Sequence, residues 1–313
     1  MINQEHKTNR IGESKINSQG YKMKIIEYNS SMDVLVEFED KFKTKVHTRY
    51  YQFINGATKN PSIYKLRLGE VNYNTYGSKM KIIEYNSPTD IIVEFQDEYR
   101  YKTKTNYGSF KTGSVYNPYS KTVYGVGYIG EGDYNNKNNP KVYKIWQSMI
   151  ERGYSKKYKN KHPTYEDVEV CKEWHNFQSF AKWYYEFYYE IEDERMELDK
   201  DILDKGNKIY CPEKCVFVPK RINNLFTKSN KNRGELPIGI VKKGDKFNAQ
   251  CTINNNGKRF NKNLGLFDTP EEAFNSYKQF KELYIKNIAD LYKNKIPQKL
   301  YDAMYNYKVE ITD

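Results

Sequence analysis

At 313 residues the chain has room for two or three domains, each able to bury its own core. Its 38% hydrophobic content is low for one large globule, and its 16% aromatic content is too high for a disordered chain, so small domains with aromatic cores are expected. The net charge of +12 points to a polyanionic partner, and with no apolar run near the roughly 18 residues of a membrane span a membrane protein is excluded. MINQEHKTNR lacks the apolar centre of a signal peptide, so a soluble, cytoplasmic protein is expected. Four cysteines in three separate segments suit reduced thiols. Cys211 and Cys215 form CPEKC with no second pair at zinc-ligand spacing, and read as idle thiols. The 31 Tyr accompany abundant Lys, Asn and Ile, the signature of A/T-rich codons, so their number alone says nothing about base stacking.

The first 123 residues contain a duplication. At an offset of 57, GYKMKIIEYNSSMDVLVEFED aligns with GSKMKIIEYNSPTDIIVEFQD, and the match runs on to Asn60-Pro61 against Asn117-Pro118 with 22 identities in 42 positions. The lead-ins RIGE (10–13) and RLGE (67–70) also agree. In each copy MKIIEY and DVLVEF or DIIVEF are β-branched runs around a turn, and a third strand is expected near Lys45 to Tyr50 or Lys102 to Tyr107. Ile25, Ile26, Ile82 and Ile83 are candidate core residues. Two small antiparallel β repeats follow, at 1–66 and 67–123. Their mixed charge leaves two uses open, a binding module (for a protein partner or nucleic acid) and a spacer.

YGVGYIGEGDYNNKNNP, rich in Gly, Asn and Pro, reads as a linker over 124–140. Beyond it a third region, 141–230, opens with a helix over VYKIWQSMIERGY and a second from about Glu173 to Glu190. In the second, Phe177, Phe180, Trp183, Tyr184 and Phe187 form one apolar stripe, a core face. ELDKDILDKGNKIYCPEKCVFVPKRINNLF (197–226) then reads strand, turn, strand, helix, and ends in an Asn pair.

With WQSMIERGY and VCKEWHNFQSFAKW, this outline resembles the HNH-type proteins of phages over about eighty residues. The resemblance implies an α-rich ββα module and metal-dependent DNA cleavage. That chemistry needs a His base, a metal-bound carboxylate and a helix ligand. Matching positions are Asp199 or Asp201 with Asn223 or Asn224, Asp199 and Asn223 being the expected ligands for Mg²⁺. Where the base His belongs, the chain reads Asp199, Lys200, Asp201. His6 and His47 lie in the front part; His162 or His175 could fold back toward Asp199, and His175 is the candidate taken as catalytic. Lys200, Lys220 and Arg221 are expected to grip phosphates.

From Pro219 to Leu264 stand eleven Lys or Arg, among them Lys228, Lys231 and Arg233, against only Glu235 and Asp245. A solvated basic face and a polyanion-binding surface both fit a basic chain; concentration into 46 residues favours the second. Residues 238–293 read as three strands, with a turn at NNNGKR, followed by a helix that Asp268 or Thr269 caps and Pro270 opens. Along KFNAQCTI apolar and polar residues alternate, the period of a sheet with one face packed and one open.

Through Gly239, KFNAQCTI, LGLF (264–267) and TPEEAFNSY, the segment resembles the ethylene-response-factor (Apetala-two) DNA-binding domain over about 55 residues. That family lays the open face of its sheet in the major groove. The positions implied to read or grip DNA are Lys242, Lys243, Lys246, Gln250, Thr252, Arg259, Asn261 and Asn263. The family's Arg and Trp readers are mostly Asn, Gln and Thr here, residues able to pair with adenine edges. The last region is 235–313, with C-terminal helices. The chain as a whole is expected to be an α+β, multidomain, double-stranded DNA-binding protein of phage or mobile-element type, weak or inactive as a nuclease. Two alternatives remain: an active HNH homing-type endonuclease, and a protein-binding regulator acting through the repeats.

Overall fold

The computed structural model describes residues 10–227, 236–255, 258–311 and 313. His6, Lys228, Lys231, Arg233, Glu235 and the centre of the NNNGKR turn lie outside the described residues. The chain is α+β, built from small sheets and helices, and divides into two compact units at Ser120/Lys121.

In the first unit both copies fold into the same four-stranded antiparallel sheet. Copy one is β1 (Ser14–Ile16), β2 (Lys22–Ser30), β3 (Asp33–Phe38) and β4 (Lys45–Thr48), followed by α1 (Tyr50–Ile54) and α2 (Ser62–Arg67). Copy two is β5 (Val71–Tyr73), β6 (Lys79–Ser87), β7 (Asp90–Phe95) and β8 (Lys102–Thr105), followed by α3 (Tyr107–Thr112). The hairpin and third strand stand where expected. The first strand of each sheet was not foreseen, because three-residue segments such as the exposed Ser14–Ile16 carry no alternation to read.

Period-two burial fills each core. Met23, Ile25, Val34, Val36, Phe38 and Phe53 pack in one copy, and Met80, Ile82, Ile91, Val93, Phe95 and Phe110 in the other. Ile26 and Ile83 are only half-buried, since the ladder slips between Ile25 and Glu27 and between Ile82 and Glu84 and turns them off the inner face. The shared RIGE and RLGE lead-ins have a structural use. Tyr50 Oη donates to Glu13 Oε2 at 3.0 Å and Arg10 lies over the Tyr50 ring; Tyr107 Oη and Glu70 Oε2 (3.1 Å), under Arg67, repeat the clasp.

The second unit begins where a linker was expected, and there the chain is packed. Tyr128 is buried and bridged to Asn176, and Gln178 Nε2 donates to the carbonyls of Ile129 (3.0 Å) and Tyr134 (2.8 Å). Glycine serves close approach here: a Cβ on Gly127 would stand 3.0 Å from the Trp146 ring.

Then come α4 (Pro140–Tyr154), α5 (Lys156–Lys161), β9 (Glu169–Val170), α6 (Phe177–Phe187), β10 (Met196–Asp199), β11 (Ile209–Tyr210), β12 (Val216–Pro219) and α7 (Lys220–Asn223). An aromatic core of Trp146, Trp174, Phe177, Phe180 and Phe217 joins them, and Trp146 Nε1 donates to the Trp174 carbonyl at 2.7 Å. From the expected stripe on α6, Phe177, Phe180, Trp183 and Tyr184 are buried, while Phe187 is exposed. The antiparallel pair β10–β12 running into α7 gives the expected strand, strand, helix outline.

The last region is the sheet β13 (Ile240–Lys243), β14 (Lys246–Asn255) and β15 (Lys258–Phe267), then α8 (Pro270–Tyr292) and α9 (Gln298–Tyr305). Thr269, not Asp268, caps α8: its Oγ1 accepts from Glu272 N, and Glu272 Oε2 accepts from Thr269 N. Asp268 pairs instead with Lys246 at 3.0 Å. The first half of α8 covers the sheet through Ala273, Phe274 and Tyr277. Its second half does something the regional boundaries at 230 and 235 did not anticipate. Ile285, Ile288, Ala289 and Tyr292, with Leu300 and Met304 of α9, share one apolar cluster with Ile202, Val216, Val218 and Ile222 of the strand-strand-helix segment.

Candidate nucleic-acid interface

On the open face of the last sheet, cross-strand register sets polar side chains in rows. Gln250 stands opposite Asn263, Thr252 opposite Asn261 and Asn254 opposite Arg259, while Lys243 faces Lys246 at the end of the first hairpin. A slip at Ala249/Gln250 makes Leu264 the extra residue of β15, so Leu264 turns to the core and Asn263 meets Gln250. Thr252 Oγ1 hydrogen-bonds Asn261 Oδ1 at 2.7 Å. Val241 and Leu266 are exposed apolar residues on the same face. Lys242 pairs with Phe247 and so projects at the edge of the opposite, helix-covered face. The glycine at 239 is required by packing, since its φ is +79° and a Cβ would fall 2.2 Å from the Tyr277 ring.

A second concavity, of about 1620 Å³, opens beside the strand-strand-helix segment and is lined by Arg152, His162, Tyr165, Asp199, Asp201 and Asn223. Asp199 and Asn223 therefore do share a cleft, but both are engaged. Asp199 Oδ1 accepts from the N–H groups of Asp201 (2.9 Å) and Ile202 (2.7 Å), closing the turn after β10. Asn223 Nδ2 donates to Glu197 Oε2 at 2.8 Å. Asn224 lies apart, beside a smaller cavity that Arg221 also lines.

Lys200 is buried, its Nζ on Asp201 Oδ2 (3.2 Å) and the Asn207 carbonyl (3.1 Å), so it ties a loop and has no charge to offer a phosphate. Lys220 is exposed at the start of α7. His175 does not reach the cleft. Its Nε2 contacts Tyr154 Oη (2.9 Å) and the Val170 carbonyl (3.1 Å), and burial holds its pKa below the ordinary value. Of the two upstream histidines, His162, its ring 4.5 Å from that of Tyr158 and tilted to it by 36°, is the one that lines the cleft.

The cleft is lined by carboxylates such as Glu194, Glu197, Asp199 and Asp201, but among the described residues no three His, Cys, Asp or Glu side chains converge as a metal site would need. Its cationic wall, Arg152, has no ion-pair partner among the described residues and donates to Tyr210 Oη at 3.4 Å. Burial, and then the nearby Asp201 carboxylate, push Asp199 up to about 6.

Comparison with known proteins finds no matching family model, no matching curated protein and no matching solved structure. The chemistry therefore rests on this chain's own geometry.

The Asp199 shift gives a measurable stability effect. A carboxyl raised in the folded state favours folding while protonated; the contribution is complete below the ordinary pKa of about 4 and is lost as pH rises through about 6. Asp199→Asn keeps the Oδ1 acceptor and removes the charge. In urea denaturation it should be more stable than wild type by about 1–2 kcal/mol at pH 8, with the gap closing toward pH 3. A destabilised variant at pH 8 would show that the charge itself is needed.

Proposed function

We propose that the chain is a double-stranded DNA-binding protein that reads sequence with the open face of the β13–β14–β15 sheet. On this reading it belongs to the phage or mobile-element type, and its strand-strand-helix segment is a frame that holds DNA with little or no cleavage. The observation that carries this is the pairing of Gln250 with Asn263 and Thr252 with Asn261 on one face, with Arg259, Lys243 and Lys246 around them. Gln and Asn offer the donor-acceptor pair that an adenine edge requires, and a thin sheet enters a groove about 12 Å wide. The basic side chains would meet the phosphates that position it.

The test selects preferred duplexes from a random pool and compares variants on preferred and scrambled sites. Gln250→Ala should erase about 1–3 kcal/mol of discrimination, while Lys246→Ala should weaken all duplexes alike. Equal losses on every duplex in both variants would make the face a grip and not a reader. One observation favours a second reading, an active metal-dependent endonuclease: His162 lines the same cleft as Asp199 and Asp201.

A further inference from the structure

One element of the long helix α8 is out of keeping with its surroundings. Its buried stripe runs Ala273, Phe274, Tyr277, then Ile285, Ile288, Ala289 and Tyr292, the first part packing on the sheet and the second on the other apolar cluster. Lys281 falls between the two, four residues from Tyr277 and four from Ile285. It has no ion pair or hydrogen bond among the described residues, and burial pushes its ammonium pKa down. Lys281 is half-buried, and a partly buried cation without a counter-ion carries a cost that an apolar side chain of the same length would remove.

Lys281 borders a cavity of about 560 Å³, the one that Arg221 and Asn224 also line. Strand β13 pairs with β14 only as far as Ala249, and the Gln250 N–H still reaches the Gly239 carbonyl at 2.8 Å. Beyond that point the β14 edge faces the cavity. The Tyr284 hydroxyl satisfies the N–H of Asn254 on this edge at 3.1 Å, and strand alternation directs the Thr252 N–H to the same side, where it has no backbone partner among the described residues. Arg221 Nε and Asn254 Oδ1 are both buried without a hydrogen bond among the described residues. Turning the Asn254 amide over would exchange the unmet acceptor for a donor. Among the described residues that border the cavity there is no Asp or Glu, whereas Arg221, Lys242, Arg259 and Lys281 are among them.

We propose that this cavity is a binding site for a phosphate group, held by Lys281, Arg221 and the Thr252 N–H. A lysine with no ion-pair partner among the described residues, a buried Arg221 Nε without a hydrogen bond there and an edge N–H are together what such an anion needs. The group can come from a DNA backbone passing the sheet edge or from a free phosphate; the cavity shares Gln250, Thr252, Asn254 and Arg259 with the rows of the open face, while Asn261 and Asn263 are not among its lining residues.

The test uses the full chain. Thermal melting is measured in sodium phosphate and in sodium chloride at matched ionic strength, and duplex affinity is measured beside it, for wild type, Lys281→Met, Arg221→Gln and Asn263→Ala. Phosphate should raise the wild-type melting temperature above its chloride value. Lys281→Met should lose that shift while melting no lower than wild type in chloride, and Arg221→Gln should reduce the shift.

If the source is the DNA backbone, Lys281→Met also lowers duplex affinity about tenfold, whatever the sequence, and the salt slope falls by about one. If the source is free phosphate, duplex affinity is unchanged and the thermal shift alone is lost. Asn263→Ala, on the open face and outside the cavity, should leave the phosphate shift intact, so failure of the sheet reading and failure of this site are separable. The proposal falls if Lys281→Met keeps the full shift, if it melts earlier than wild type in chloride, or if neither phosphate nor DNA binding depends on Lys281.

Discussion

Duplex DNA affinity of the full chain should fall steeply with salt, by about 10² to 10³·⁵ between 50 and 200 mM, as for roughly five to seven phosphates neutralised. The expectation follows from where the charge sits. Of the eleven Lys and Arg between Pro219 and Leu264, Lys243, Lys246 and Arg259 flank the polar rows of the sheet, and Lys220 is exposed at α7. Each phosphate neutralised releases condensed counter-ions, so the logarithm of affinity should fall against that of salt with a slope of about −4 to −6. Fluorescence anisotropy of a labelled duplex across a salt series measures it. A slope near zero would mean that the basic segment is only a solvated face.

The experiment needs the full chain, for a reason found in the fold. Residues 235–313 read as a region complete in itself, with three strands and a covering helix. Yet Ile285, Ile288, Ala289 and Tyr292 bury against Val216, Val218 and Ile222, far earlier in sequence. A fragment starting at 235 would expose that apolar face and is expected to aggregate.

What could be read in advance had a short-range cause. The repeats were legible because β-branched residues alternate with period two and the pattern occurs twice. The sheet and helix of the last region were legible because alternation along Lys246–Asn255 and the Thr269–Glu272 capping box are local signals. What failed depended on partners distant in sequence. The Gly- and Asn-rich stretch after Val123 has linker composition, but its glycines let Trp146, Asn176 and Gln178 come close. Lys200 has the sequence of an exposed charge, and only the carbonyl of Asn207 and the carboxylate of Asp201 explain its burial. By sequence either His175 or His162 could fold back toward Asp199, and His175 is the one taken as catalytic. The Tyr154 hydroxyl and the Val170 carbonyl hold the first away from the cleft that the second lines. Lys281 carried a signal that could have been used, a lone charge on the apolar stripe of α8.

Supercoiled plasmid incubated with the purified protein and Mg²⁺ or Mn²⁺ should be bound and nicked slowly or not at all. The base position of an HNH-type site is taken by Lys200, whose buried Nζ is tied to Asp201 and Asn207, and no histidine stands there. Loss of a general base forfeits about 10² to 10⁴ in rate. The metal side is no better prepared. Asp199 Oδ1 accepts from two backbone N–H groups and Asn223 Nδ2 donates to Glu197, which leaves Asp199 Oδ2 and Asn223 Oδ1 as ligand atoms, and among the described residues no group of three His, Cys, Asp or Glu side chains converges to complete a divalent site.

The one group placed to overturn this is His162, in the same cleft as Asp199 and Asp201. His162→Ala and Asp199→Ala are the informative variants, and His175→Ala is the control outside the cleft. Fast nicking in wild type that His162→Ala abolishes and His175→Ala spares would make His162 the base and the protein an endonuclease. Nicking that survives both His162→Ala and Asp199→Ala would place the activity outside this cleft. Binding without nicking is the expected result, because Lys200 stands where the base histidine belongs and, among the described residues, no three His, Cys, Asp or Glu side chains converge to hold a metal.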